Sequence, residues 1–499
     1  MLAAPRHFWR AITVVRCLGR HGAILFIDDL PLGSWQRRVL HMLNNKDAKG
    51  RPGERLARAL IELGPIYVKL GQGLATRPDL MGADVAEDLA SLQDDLPPFP
   101  GDEAVRVIEA DLGAPLWTRF QAFEWTPVAA ASVAQVHRAR TPAGRAVAVK
   151  VLRPGIDWQI ERDLSFFQFG AWLAGRLVPA AERFQPEAVV STFAATTRRE
   201  LDLRMEAAAC DEFGENNGDA AGFRVPAVDW ERTGRRVFTL DWVEGIASDE
   251  RDALIAAGID PARVLEHAST VFFEQVFVHG FFHGDMHPGN TFIEPDGTIV
   301  AVDFGIMGRL DMATRLFLGE LLVAFLARDY PKVAALQVRI GLVPETVDQG
   351  ALAQACRAIS EPIMGLPLNE ISLGRLLGQL FEVAGSFEMR VRPELLLLQK
   401  TMMVAEGVGR GLNPSVNMWQ LAQPLVERWI ATHLGPAAAA RRIAESSWEM
   451  AERLPRVIRS AEVVLHDAEV RVRDEANRWR WLRPVLWIGL GILAGAILL

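Results

Sequence analysis

Cysteine is nearly absent. Cys17, Cys210 and Cys356 are the three in 499 residues, an odd number, far apart and in no Cys-x-x-Cys pair. That excludes a disulfide framework and a cysteine zinc site, and it fits a reducing cytosol with all three thiols in the core. Excess positive charge is missing as well: 54 Lys+Arg stand against 62 Asp+Glu, a net charge of −8. Nucleic acid as the main partner would need a basic face, so none is expected. No secretory leader is legible, because Arg16 and Arg20 break the apolar run that follows Arg6 and Arg10. There is no internal repeat and no low-complexity tract beyond Ala437–Ala440. No G-x-G-x-x-G stands between a strand and a helix, and no ligand cluster suits oxygen chemistry.

Long apolar runs are confined to one place. Pro484 to Leu499 carries no charge, and sixteen helical residues reach about 24 Å, close to a bilayer core once Trp481, Leu482 and a snorkelling Arg483 are added. Arg471, Arg473, Arg478, Arg480 and Arg483 precede it. The expected reading is a membrane anchor with the preceding domains on the cytoplasmic side of the cell inner membrane. Gly491 and Gly495 form a G-x-x-x-G that can pair two such helices into a homodimer.

The most informative stretch is His283-Gly284-Asp285-Met286-His287-Pro288-Gly289-Asn290, followed thirteen residues on by Asp303-Phe304-Gly305. Phosphoryl transfer in a kinase fold needs an Asp to orient the nucleophile, an Asn on Mg²⁺ five residues later, and a second Asp on Mg²⁺ from a D-F-G turn. Asp285, Asn290 and Asp303 stand in that register. Lys150, on the short apolar run Val147–Val151, is the candidate for the α/β-phosphates, the bland reading being an edge-strand lysine. Where a kinase has a glycine-rich loop, this chain has Val128-Ala129-Ala130-Ala131-Ser132-Val133-Ala134-Gln135. Alanine restricts the φ > 0 conformations that let backbone N–H groups close onto phosphate, so the grip on the γ-phosphate is expected to differ and peptide phosphorylation to be weak or absent.

Two polar groups lie outside that set. A helix expected over 186–213 carries Glu200, Asp202 and Glu206, and on one helix Glu200 and Glu206 project about 120° apart, able to serve two cations. Lys69 and Gln72, three apart on a helix expected over 53–75, form a single polar patch. A solvated surface is the plain alternative for both. A linker is expected at Pro97–Pro100, a hairpin at Arg224–Trp230 and Arg236–Val243, and a lobe hinge with an adenine edge near Asp241 to Val243. Of Ile306–Arg315 only Thr314 is phosphorylatable.

Lys-Leu-Gly-Gln at 69–72, the alanine-rich loop, Val-Ala-Val-Lys ending at 150, Glu-Leu-Asp at 200–202 six residues before Glu206, the His-Gly-Asp loop and D-F-G occur in that order. Together they resemble the UbiB/ABC1/ADCK family of atypical protein-kinase-like ATPases over about residues 53 to 320. The resemblance implies an α+β, two-lobed kinase-like fold with an N-terminal helical extension (1–115), an N-lobe (116–245), a C-lobe (246–440), a charged juxtamembrane helix (441–483) and the anchor (484–499). It implies Asp285 as catalytic, Lys150 paired with Glu206, Asn290 and Asp303 on Mg²⁺, residues 128–135 on the nucleotide, and Lys69 and Gln72 folded over the site against Glu200 and Asp202. The cofactors implied are ATP and Mg²⁺. The function implied is support of ubiquinone synthesis, through lipid precursors or the membrane-bound biosynthetic enzymes. Bacterial members carry two C-terminal membrane segments; only one is legible here, residues 443–470 being too charged for a second. The competing readings are a small-molecule kinase of the aminoglycoside/choline type, which shares H-G-D-x-H-x-G-N, and a nucleotide-binding scaffold without chemistry.

Overall fold

The computed structural model describes residues 4–25, 34–45, 47–75, 81–90, 92, 97–177, 185–218, 220–364, 372, 374–379, 387, 392–414 and 418–434. The expected juxtamembrane helix and anchor at 441–499 lie outside the described residues. Among the described residues no helix is long and apolar enough to cross a membrane.

The chain begins with helices α1 (Ala4–Arg20), α2 (Ser34–Leu43), α3 (Pro52–Leu63), α4 (Pro65–Ala75) and α5 (Ala83–Ala90). The single helix expected over 53–75 is two. Gly64 ends α3 at φ 113°, a conformation other side chains resist, and Pro65 opens α4. The break lets α4 turn its Ile66, Tyr67 and Val68 inward, where Tyr67 meets the edge of Phe167 and lies beneath Arg10.

After the Pro97–Pro100 linker, α6 (Gly101–Leu112) covers the outer face of an antiparallel sheet. That sheet joins β1 (Ala122–Phe123), β2 (Ala129–Ala130), β3 (Ala134–Arg140), β4 (Ala146–Leu152) and a later strand, β6 (Val237–Asp241). Period-2 alternation along β4 sends Val147, Val149 and Val151 into the core under Val107 and Ile108, and turns Lys150 to the opposite face. Lys150 sits between Val136 and Phe238 in register, so β4 is central and its lysine is not on an edge.

Helices α7 (Ile156–Leu177), α8 (Pro186–Glu200) and α9 (Leu203–Asn216) follow. The one helix expected over 186–213 is broken at Leu201–Asp202. Asp202 is in extended backbone and its carboxylate accepts the Arg204 N–H, capping α9. Glu200 therefore ends α8 while Glu206 opens α9, and the 120° relation drawn for a continuous helix does not hold. The expected hairpin is also corrected. β5 (Phe223–Arg224) pairs in parallel with β10 (Ile299–Ala301) of a second sheet, and a Val228–Leu240 bridge links this segment to β6. Asp229 gathers Arg145 and Arg232, bending the chain through a tight turn at Trp230–Arg232.

The second sheet orders β5, β10 (Ile299–Ala301), β9 (Thr291–Ile293) and β7 (Ile246–Ala247), and β8 (Phe281–His283) pairs with β11 (Met307–Arg309). Helix α10 (Pro261–Phe273) runs into a π-helical turn that ends at Gly280 in the left-handed region. Helices α11 (Met312–Leu326), α12 (Tyr330–Arg339), α13 (Gln349–Met364), α14 (Pro393–Leu412) and α15 (Met418–Leu434) complete the helical lobe. Its core holds Phe272, Phe273, Phe277, Phe317, Leu398 and Trp429.

Candidate active site

Register explains how the motif residues converge. In the β9–β10 hairpin Thr291 faces Ala301, so Asn290, just before β9, and Asp303, just after β10, leave the same end of the pair. The Val302 N–H donates to the Asn290 carbonyl at 3.1 Å. The loop between β8 and β9 is closed by its own side chains. The Asp285 N–H donates to His283 Nδ1 at 3.1 Å, Asn290 Nδ2 donates to the Asp285 carbonyl at 3.1 Å, and the Gly289 N–H donates to His287 Nδ1 at 3.0 Å. Gly284 stands where most kinases have arginine. A Cβ there would come within 2.9 Å of the Ile306 and Leu397 side chains and 3.0 Å of the Ile306 carbonyl, so any larger residue would push these neighbours aside.

Lys150 reaches across from β4. Its Nζ lies 2.7 Å from Glu206 Oε1 and 3.6 Å from Asp303 Oδ2. Burial works against the ammonium, but the Asp303 and Glu206 carboxylates outweigh it and hold Lys150 above the ordinary lysine value. Burial pushes Glu206 up to about 7, with Asp303 adding and Lys150 opposing. Partial burial, with 44% of its side chain still exposed, would raise Asp303 too, yet Lys150 and the Gly305 N–H, which donates to its Oδ1 at 2.9 Å, bring it down to about 2. The lysine is thus charged and Asp303 anionic at neutral pH. Phe304 is buried against Phe213 of α9 and His283, with ring centroids 5.7 Å away in each case. One helix therefore offers Glu206 to Lys150 and, two turns on, seats the D-F-G phenylalanine. The two placements that a kinase site needs together are mechanically tied.

The alanine-rich segment is the tip of the β2–β3 hairpin. Ala129 and Ala130 pair with Val136 and Gln135, and the turn at 131–133 is stapled from below as Arg153 donates to the Ala131 carbonyl. Gln135 is fully buried. Its amide holds the Phe99 backbone at 3.0 and 3.2 Å and meets His137, so this residue secures the linker. The Ser132 hydroxyl is buried with no hydrogen-bond partner among the described residues. At the expected hinge, the Asp241 and Trp242 N–H groups donate to the Ala227 and Ala146 carbonyls, so both are already engaged.

The break between α8 and α9 hands two glutamates to two different lysines. Lys69 of α4 lies 2.5 Å from Glu200 at the end of α8, both largely shielded. Asp202 instead gives both carboxylate oxygens to Arg204, and Gln72 donates to the Leu92 carbonyl at 3.4 Å. Sequence reasoning missed one residue of the site. Lys400 on α14 places its Nζ 2.9 Å from Asp285 Oδ1, and the next residue, Thr401, donates to the Gly284 carbonyl at 3.0 Å. It lies 115 positions from its partner on a helix, between Gln399 and Thr401, with no motif to mark it.

Comparison with known proteins gives the family. The ABC1 atypical kinase-like domain matches residues 91–337, and the UbiB helical domain matches residues 356–417. A Marinobacter nauticus protein curated as "Probable protein kinase UbiB" is 40% identical over 429 residues, 85% of this chain and 77% of its own. An Aeromonas hydrophila protein of the same name is 40% identical over 463 residues, 90% of this chain and 84% of its own. The chain belongs to the UbiB family of atypical kinases. Its kinase-like domain implies an ATP site. Among solved structures, that of Mycobacterium tuberculosis Rv3197 with erythromycin aligns with a TM-score of 0.49 and 27% identity, over 71% of this chain and 90% of that one.

The raised Glu206 has a consequence for stability. In the fold it keeps a proton that the unfolded chain releases from its ordinary 4.5 upward. Its contribution therefore falls as pH rises from 4.5 to about 7 and is flat beyond. Denaturant unfolding from pH 4.5 to 8 should show wild type losing stability relative to Glu206→Gln as pH rises across that window. Parallel curves would mean that Glu206 titrates as an ordinary carboxylate.

Proposed function

We propose that this UbiB-family chain is a Mg²⁺-dependent ATPase that supports ubiquinone synthesis at the membrane, acting on lipid precursors or on the enzymes that process them. The observation that carries the ATP chemistry is the joined Lys150–Glu206–Asp303 set beside the Asp285–Asn290 loop. The residues fit the cation: Asp303 offers an anionic carboxylate with its side chain 44% exposed, and Asn290 keeps its amide oxygen while its nitrogen holds Asp285. Such hard oxygen donors suit Mg²⁺, which neutralises phosphate charge when bound. Lys150 would hold the α/β-phosphates under the alanine-rich tip. Asp285 would orient an oxygen nucleophile and take its proton as attack on the γ-phosphorus breaks the bond to the bridging oxygen and releases ADP.

Two features favour small or lipid acceptors over peptides. The chain passes from D-F-G through β11 directly into α11, whose first turn is capped by Asp311, leaving little segment on which a peptide could lie. Thr314, the phosphorylatable residue there, is buried and accepts a hydrogen bond from Arg392. The Lys69–Glu200 pair joins α4 to α8, whose end leads into the helix that carries Glu206. The aminoglycoside/choline-type reading is disfavoured by the family. The reading keeps the expected location, an inner-membrane protein with its catalytic domain in the cytoplasm, paired as a homodimer through 484–499. The test is deletion of the gene followed by a quinone-lipid profile. Wild type should restore the quinone and Asp303→Asn should not; rescue by Asp303→Asn would turn the reading toward a scaffold.

A further inference from the structure

The cations around the nucleotide site do not balance its anions. Lys150 already faces two carboxylates, Glu206 and Asp303. The loop from Asp285 to Asn290 contains no lysine or arginine. Its His287 has Nδ1 engaged with the Gly289 N–H and Nε2 3.8 Å from Asp285. His283 is wholly buried, with burial favouring its neutral form. Mg²⁺ held by Asn290 and Asp303 would offset part of the charge, yet a triphosphate arriving here would still bring its γ-phosphate toward Asp285 with no lysine or arginine on the catalytic loop to meet it. Transfer of that group relies on positioning and charge neutralisation, and a cation delivered from another element is worth roughly 10³–10⁵ in rate where it has been measured.

The helical domain supplies such a cation. Lys400 Nζ is 2.9 Å from Asp285 Oδ1, and α14 is held in register beside it: Thr401 bonds the Gly284 carbonyl, and Leu397 presses on the glycine itself. The backbone of the helix is thus fixed to the loop. The ammonium stands on a flexible four-carbon stem with its side chain 44% exposed, so it can change partner without α14 moving. We propose that Lys400 is the cation that receives the terminal phosphate of the bound nucleotide, leaving Asp285 as it does so. Without nucleotide the lysine occupies the carboxylate oxygen that must orient the nucleophile. With ATP it shifts to the phosphate and uncovers that oxygen. A kinase-like domain would then be completed by a residue from the UbiB helical domain, which lies outside the span of the ABC1 match.

This rests on the ATP-site reading, and the test separates the two. Equilibrium binding of MgATP and MgADP, with ATP turnover, is measured for full-length wild type, Lys400→Met and Lys400→Arg. Lys400→Met should bind ATP about tenfold more weakly, ADP within twofold of wild type, and turn over at least tenfold more slowly, a tenfold step being 1.4 kcal/mol. Lys400→Arg should keep most of both. Equal weakening toward ATP and ADP would make Lys400 a helix-docking residue and overturn the proposal, as would unchanged ATP binding and turnover. Failure of wild type to bind either nucleotide would instead overturn the ATP-site reading, and this inference with it.

Discussion

Asp303→Asn should abolish ATP turnover, lowering it by about 10³-fold or more, while leaving the fold intact. The substitution keeps the shape of the side chain and an oxygen to accept the Gly305 N–H now at 2.9 Å from Oδ1. What it removes is the negative charge. In the wild type that charge is held down to about 2 by Lys150 after opposing burial, so it is present at any working pH. A neutral amide is a far weaker ligand for Mg²⁺, and a thousandfold loss asks only about 4 kcal/mol of transition-state stabilisation from the missing charge. The same change relieves Glu206, because Asp303 is one of the groups raising it. The variant should therefore show a Glu206 titration shifted back toward ordinary carboxylates, a readout that needs no catalysis. Turnover above a tenth of wild type would remove Asp303 from the metal site. Lys150→Ala should also weaken productive binding, since Glu206 and Asp303 would then face each other without their cation.

Phosphate chemistry made part of this site readable in advance. Asp285, Asn290 and Asp303 sit on one hairpin and its flanking turns, so their geometry is set by short spacings that survive as a motif. Lys150 was legible for a similar reason: alternation along Val147–Val151 puts one polar residue on the face opposite the valines. What was missed depends on long-range packing or on single-residue breaks. Gly64-Pro65 carries a helix-stop signal, but the apolar spacing on either side runs through it. Asp202 is an N-cap whose signal is masked by helix formers on both sides. The Arg224 segment looks like half of a hairpin because its strand pairs with β10, more than seventy residues later in sequence. Lys400 has no local signature at all. Its role depends on where α14 docks, and that is decided by Leu397 and by Thr401, 117 positions from the glycine that both meet.

The Lys69–Glu200 contact gives the second large expected effect, because it joins the N-terminal helices to the element that leads into α9. Lys69 Nζ is 2.5 Å from Glu200 Oε2, with the side chains 16% and 26% exposed, so water screens the pair only in part. Lys69→Glu would set two carboxylates together there. Glu200→Lys would set two ammonium groups together, beside Arg198 and Arg199 on the same helical turn. Each reversal should cost about 2–4 kcal/mol, below the full figure for a completely buried pair. α8 ends at Glu200 and α9 begins three residues later, so the strain should pass to Glu206 and lower ATP turnover as well as stability. The double reversal restores opposite charges at the same positions and should recover at least 1 kcal/mol of the summed loss, together with part of the turnover. Recovery should be incomplete, since a lysine at 200 still faces the neighbouring arginines. Relaxing the hairpin tip with Ala129→Gly in the Lys69→Glu background tests the cover directly: autophosphorylation should appear there and be absent from wild type. Denaturant unfolding and ATP turnover of the two singles and the double close the cycle, and strict additivity in both would make Lys69 an ordinary lysine of a packed helix.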